Sequence, residues 1–302
     1  MMSLFTVHIF LTLLALSAGG GKQRETPGLY QGDIQLTPEQ WESLQSNNSP
    51  FGSIKNRRWP NAKIPYTIES SIGENGKQAI KEAIDDYHRF TCLKFTPWNG
   101  EKNYISFFYG KGCDSPVGMW DKNRISLGEG CLTKGTALHE IGHSLGLEHE
   151  QSRPDRDRYV NIHYENIEDD WVFAFNISKN VDSLGTEYDL YSMMHYSSNS
   201  FAKVWNKKTI TTKDPSKQKL IDNFGRIFGL SGTDVKQINK MYSCGEKIPS
   251  TLKPTTCTKD NDWSCQFWTN QGYCLSGDLF QRARMHEMCC KSCKDKCGKC
   301  GL

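Results

Sequence analysis

The strongest constraint on this chain lies between positions 139 and 149. His139-Glu140-Ile141-Gly142-His143-Ser144-Leu145-Gly146-Leu147-Glu148-His149 reads H-E-x-x-H-x-x-G-x-x-H. Histidines four apart share one face of a helix, so His139 and His143 can hold a common metal ion. Gly146 can take the left-handed conformation that ends a helix and turns the chain back, which brings His149 to the same ion. Three neutral imidazoles leave a fourth position open, the arrangement of a catalytic zinc rather than a closed structural one. Glu140, next to His139, can act as general base toward a water at that position. Leu138, Ile141 and Leu145 form an apolar stripe at i, i+3 and i+7, so the same helix must also pack into a core.

The pattern runs on through Glu150, Arg153, Asp155 and Arg156. Downstream stands Tyr188-Asp189-Leu190-Tyr191-Ser192-Met193-Met194-His195-Tyr196. Together these stretches resemble the signature and the Met-turn of the astacin metalloproteases. The resemblance implies an α+β fold: an astacin-like metzincin of two subdomains with the active-site cleft between them. It implies one zinc ion per chain on His139, His143 and His149, with Glu140 and Tyr196 catalytic. Tyr196 would be an extra zinc ligand that swings away to stabilise the oxyanion, and Met194 would lie beneath the metal. Leu147 stands where family members often have Phe, a conservative change. The likeness extends over Phe224-Gly225-Arg226, Gly229-Leu230-Ser231 and Asp234 to Cys244.

The chain has 302 residues with a formal net charge of +3. That balance is too mild, and too free of basic blocks, to imply nucleic acid as partner. Leu4 to Leu16 is apolar except for Thr6, His8 and Thr12, and small residues follow it. Residues 1–19 are therefore expected to be a signal peptide, making the protein secreted and extracellular, and no later stretch reads as a membrane span. Twelve cysteines suit an exported chain. Asn47 and Asn176 begin glycosylation tripeptides.

Residues 20–48 are polar and read as a propeptide. Leu29-Tyr30-Gln31-Gly32-Asp33-Ile34 resembles the F-x-G-D motif of astacin propeptides, with Tyr30 in place of Phe. The resemblance makes Asp33 the zymogen zinc ligand that occupies the water position. Processing is expected near Ser49, where no basic residue marks a trypsin-like cut. The resemblance implies that the new N-terminus is buried near Glu150.

A catalytic domain is expected over 49–246. The patterning predicts strands over 63–69, 104–109 and 124–127 and helices over 74–90, 134–145 and 231–242, the last capped by Ser231 or Thr233. Cys92, Cys113, Cys131 and Cys244 allow three pairings; the resemblance implies Cys92–Cys244 and Cys113–Cys131. Residues 247–256 read as a linker. The remaining 257–302 hold eight cysteines, a density that marks a small disulfide scaffold. Cys257, Cys265, Cys274, Cys293, Cys297 and Cys300 resemble the ShK toxin fold, although Cys289-x-x-x-Cys293 fits the closing spacing too and the pairing stays open. Leu279 and Phe280 stand where related channel blockers carry a Lys-Tyr pair, so the tail reads as a binding or positioning appendage with an extracellular target of its own.

The reading that results is a secreted zinc endopeptidase, made as a zymogen, that binds protein or peptide substrates in extended form along an edge strand and needs an activating protease. The alternatives are a silent binding protein on the same fold, which intact His139, Glu140, His143, His149 and Tyr196 oppose, and a toxin acting through its tail.

Overall fold

A computed structural model describes residues 29–38, 40, 42, 57–178, 181–222, 229–245, 260, 265–270, 273–275, 285–286 and 289–297. The expected signal peptide, Asn47, the processing point near Ser49, residues 223–228, the linker 247–256, Cys257, Leu279, Phe280 and Cys300 lie outside the described residues.

Strand β1 is Ile34–Gln35, β2 is Lys63–Ile68, and helix α1 is Glu74–Phe90. Strands β3 (Lys94–Pro97), β4 (Tyr104–Phe108), β5 (Cys113–Pro116) and β6 (Lys122–Leu127) precede helix α2, Lys134–Leu145. The sheet order is β1-β5-β6-β4-β2-β3. β2, β3, β4 and β6 run parallel, whereas β5 is antiparallel to β6. β3 and β5 carry no strand signal in sequence: Lys-Phe-Thr-Pro and Cys-Asp-Ser-Pro are short and end in proline. They are strands because their neighbours pair with them, β3 at the sheet edge beside β2 and β5 between β6 and the short β1.

α1 buries Ile80, Ala83, Ile84 and Tyr87, the helical stripe visible in the sequence. It packs against α2, and α2 lies in turn on β5 and β6. Ile64, Ile105, Phe107, Ile125 and Leu127 from the sheet close the core with Leu138, Ile141 and Leu145. At roughly 1.5–3 kcal/mol for each fully buried large apolar side chain, this core holds α2 firmly from one side.

Beyond α2 the chain is mostly irregular. A two-stranded sheet joins β7 (Val160–Ile162) to β8 (Ile210–Thr212), and a second core gathers Phe175, Tyr188, Tyr196 and Phe201. Short helix α3 (Gln218–Asp222) precedes α4, Gly232–Met241. Cys92, just past α1, is bonded to Cys244, just past α4, and Cys113 is bonded to Cys131.

In the tail, α5 (Cys265–Asn270) and α6 (Cys290–Cys297) are described. Cys265 is bonded to Cys289 and Cys274 to Cys293. Tyr191 packs against this small core. Among the described residues no helix is long and apolar enough to cross a membrane.

Candidate metal and active site

The site begins with how α2 ends. Gly146 has φ 107°, and its N–H donates to the carbonyl of His143 at 2.8 Å while that of Leu147 donates to Gly142 at 2.9 Å. This pair of bonds is a Schellman closure, and it needs a residue without a Cβ. The reversed chain carries His149 back over the helix. His139, His143 and His149 are all fully buried.

Each ring is fixed through Nδ1. His139 Nδ1 meets the carbonyl of Met193 at 2.8 Å, His143 Nδ1 the carbonyl of Leu147 at 2.9 Å, and His149 Nδ1 the Oε1 of Gln31 at 2.7 Å. A nitrogen against a carbonyl oxygen must carry the hydrogen, so in the neutral rings all three Nε2 atoms present lone pairs. These converge: His139 Nε2 lies 3.2 Å from His143 Nε2 and 3.4 Å from His149 Nε2. Asp33 Oδ2 stands 3.1 Å from His139 Nε2 and 3.2 Å from His149 Nε2, and Asp33 Oδ1 stands 3.7 Å from His143 Nε2. Lone pairs at such distances repel unless a cation sits among them. A tetrahedral zinc with bonds of about 2.0–2.1 Å sets its donors about 3.3–3.4 Å apart. The donors therefore fit one zinc ion, with Asp33 in the fourth position. They form a four-residue cluster able to hold a metal.

Burial pushes the Asp33 carboxyl upward, but His149, His139 and His143 outweigh it and hold the group well below the usual carboxylate range. Glu140 is also fully buried, one residue along α2 from His139. The Tyr196 ring lies 4.6 Å from the His149 ring, and its hydroxyl donates to the carbonyl of Gln31. Both Met193 and Met194 lie under the helix, facing Gly142.

Asp33 reaches the site from a tight hairpin. Tyr30 and Ile34 exchange both backbone hydrogen bonds at 3.0 Å and leave a loop of Gln31, Gly32 and Asp33 between them. β1 then pairs parallel with β5, Ile34 opposite Ser115. The 29–35 stretch thus covers the edge strand along which an extended substrate was expected.

The Met-turn hangs on α4. Ser231 caps that helix, and Asp234 closes a capping box with it. The same Asp234 accepts from Ser192 Oγ at 2.7 Å and from Met193 N–H at 3.1 Å. Glu150 Oε1 accepts from Arg153 Nη1 at 3.0 Å and from Asp189 N–H at 2.7 Å. Arg153 also holds Asp155 through two bonds of 2.9 Å. Glu150 is left short of positive charge, and burial pushes its carboxyl up to about 8 despite Arg153. Burial likewise pushes Glu148 up to about 8, with the Ser178 hydroxyl pulling the other way.

Comparison with known proteins bears on all of this. The family model for astacin, a family of peptidases, matches residues 52–243. The chain belongs to the astacin family. It is 37% identical over 281 residues to Protein SpAN of Strongylocentrotus purpuratus, covering 86% of this chain and 44% of that protein. It is 40% identical over 224 residues to meprin A subunit beta of Rattus norvegicus, covering 73% of this chain and 30% of meprin. The chain therefore spans less than half the length of either relative. Among solved structures it resembles high choriolytic enzyme 1, a hatching enzyme zinc-protease of Oryzias latipes, with TM-score 0.57 and 32% identity over 62% of this chain and 94% of that one.

Several site residues carried no recognisable sequence signal. Gly142 occupies a free position of the motif. Met193, rather than Met194, supplies the carbonyl that orients His139. Gln31, Ser178 and Asp234 stood in no motif that gives them these contacts, although the Ser231-x-x-Asp234 spacing is a capping-box signal.

Proposed function

We propose that this astacin-family chain is a secreted zinc endopeptidase made in latent form, with residues 20–48 as propeptide, 49–246 as catalytic domain and 257–302 as a ShK-like appendage. The observation that carries the reading is the set of four donors, from His139, His143, His149 and Asp33, at tetrahedral spacing beside buried Glu140. Once bound by the three histidines, zinc supplies Lewis acidity that makes water a nucleophile near neutral pH and polarises a carbonyl. Glu140 takes the proton as water attacks a substrate carbonyl, then delivers it to the leaving amine. Tyr196 donates its hydroxyl hydrogen to the developing oxyanion. The substrate lies extended along β5, the edge β1 covers in this structure, by strand addition.

The same geometry supports the latent state. Asp33 takes the fourth donor position while the Gln31 carbonyl occupies the Tyr196 hydroxyl. Cleavage by an activating protease releases both. The charge deficit at Glu150 supports it as the acceptor for a newly made, buried N-terminal amine. Asn176 is exposed, as a glycan site requires.

The test is cleavage of gelatin and a quenched peptide by secreted, trimmed protein, comparing wild type with Glu140→Ala, each with and without a zinc chelator. Activity in wild type alone, lost on chelation, is the expected result. A trimmed, zinc-loaded wild type that cleaves nothing refutes the reading.

A further inference from the structure

Gln31 is fully buried and has φ 50°. A residue with a Cβ in that left-handed region is disfavoured by a factor of about 5–30 in population. The next residue, Gly32, has φ 86°, so the loop demands two left-handed residues in succession. Asn-Gly or Gly-Gly would meet that demand with less strain. A glutamine persists in such a place only where surrounding contacts over-determine it.

Its side chain makes those contacts. Oε1 accepts from His149 Nδ1 at 2.7 Å, while Nε2 donates to Tyr30 Oη at 3.2 Å and to Ser178 Oγ at 3.4 Å. Tyr30 Oη and Ser178 Oγ are themselves 3.0 Å apart. Ser178 is buried and anchored through its own N–H to the Ser152 carbonyl at 2.8 Å. The pocket thus offers a hydrogen-bond donor from a ring and acceptor oxygens opposite it, which is the complement of a carboxamide. A carboxylate would lack the donor, and an apolar side chain would leave the His149 N–H buried without an acceptor. The tyrosine that replaces the usual phenylalanine at position 30 supplies one of the acceptors.

We propose that His149 Nδ1, Ser178 Oγ and Tyr30 Oη form a carboxamide-binding pocket, and that Gln31 in it is a second latch, gripping a metal-ligand ring while Asp33 takes the metal position. This rests on the latent reading of residues 20–48. Gln31 and Ser178 are positioning residues: they fix the His149 ring and the hairpin that carries Asp33. Of the three ligand rings, His139 and His143 are oriented by Met193 and Leu147 of the catalytic domain, and His149 by the propeptide.

The test uses the uncleaved full chain, zinc-loaded and zinc-free, and follows amide hydrogen exchange at Ile34 and Ser115 together with the NMR signal of the His149 Nδ1 hydrogen. Gln31→Asn is the decisive variant. Asn tolerates φ above zero better than Gln but is one methylene too short to span His149 and Ser178. Were the side chain idle, Gln31→Asn would leave exchange unchanged or slow it. The latch requires exchange on the order of tenfold faster and loss of the protected Nδ1 signal. Ser178→Ala should match it, with Asn176→Gln alone showing no change, since Ser178 also completes the glycosylation tripeptide. Asp33→Ala separates the two ideas. Faster exchange in Asp33→Ala but not in Gln31→Asn overturns the latch and spares the latent reading. No change in either overturns both.

Discussion

Gly142→Ala tests how closely the Met-turn supports the metal helix. A Cβ at Gly142 would stand 2.8 Å from Met193 Cε and 2.9 Å from Met194 Sδ, well inside the favourable separation of about 3.5–4.0 Å. Alanine is worth about 1 kcal/mol over glycine in a helix interior, so at an open position this change would stabilise. Overpacking a filled core costs about 1–3 kcal/mol. Both contacted atoms end flexible side chains, which lowers the cost, but two buried methionines must move at once, which places it near the middle of that range. The net expectation is a loss of about 1 kcal/mol. For a domain of this size that lowers the melting temperature by about 2–4 °C.

The metal provides a second readout. Met193 also supplies the carbonyl that holds His139 Nδ1 at 2.8 Å, so whatever part of the adjustment reaches its backbone is felt at the metal. Loss of such an outer partner costs about 10–100-fold in metal affinity, and a displaced one should cost about tenfold. Calorimetry of the zinc-free and zinc-loaded chain, with zinc competition against a chromogenic chelator, measures both quantities. A Gly142→Ala chain that melts at or above wild type with unchanged zinc affinity would refute the packing argument.

Other expectations bear on the site and its frame. Glu140→Gln should keep zinc and fold but lower turnover by about 10²–10⁴-fold, measured on trimmed enzyme with metal content checked. Tyr196→Phe should leave zinc bound and lower kcat by about 10²-fold with little change in KM; an equal fall in zinc content would instead make it a structural ligand. The two catalytic-domain disulfides should differ in a defined order. Cys92–Cys244 spans 152 residues and Cys113–Cys131 spans 18, so loop entropy assigns about 5 and about 3 kcal/mol. Paired alanine variants should melt in that order, and the reverse order would place the difference in the folded state. Chelation should lower the melting temperature and zinc should restore it, because the ion binds only the folded arrangement of ligands.

How much of this was legible beforehand follows from the kind of signal each residue leaves. α1 and α2 announce themselves by apolar stripes, and Gly146 by its place after the last turn. β5 does not, because Cys113-Asp114-Ser115-Pro116 becomes a strand only through its neighbours, Cys113 and Asp114 paired to β6 and Ser115 and Pro116 to β1. Asp234 is half legible. Its spacing from Ser231 marks a cap, while its bonds to Ser192 and Met193 span more than forty residues and follow no period. The ligands could be named from sequence because chemistry fixes their types and spacing. Their orientation could not, because each ring takes its partner from a different part of the chain: Leu147 from the turn after α2, Met193 from the Met-turn, Gln31 from the hairpin. The first two partners belong to the stretch matched by the family model, at residues 52–243, and the third lies before it. On the latent reading proposed above, an orienting contact placed before the matched stretch is one that cleavage would remove, and that would make His149 the ring through which maturation acts.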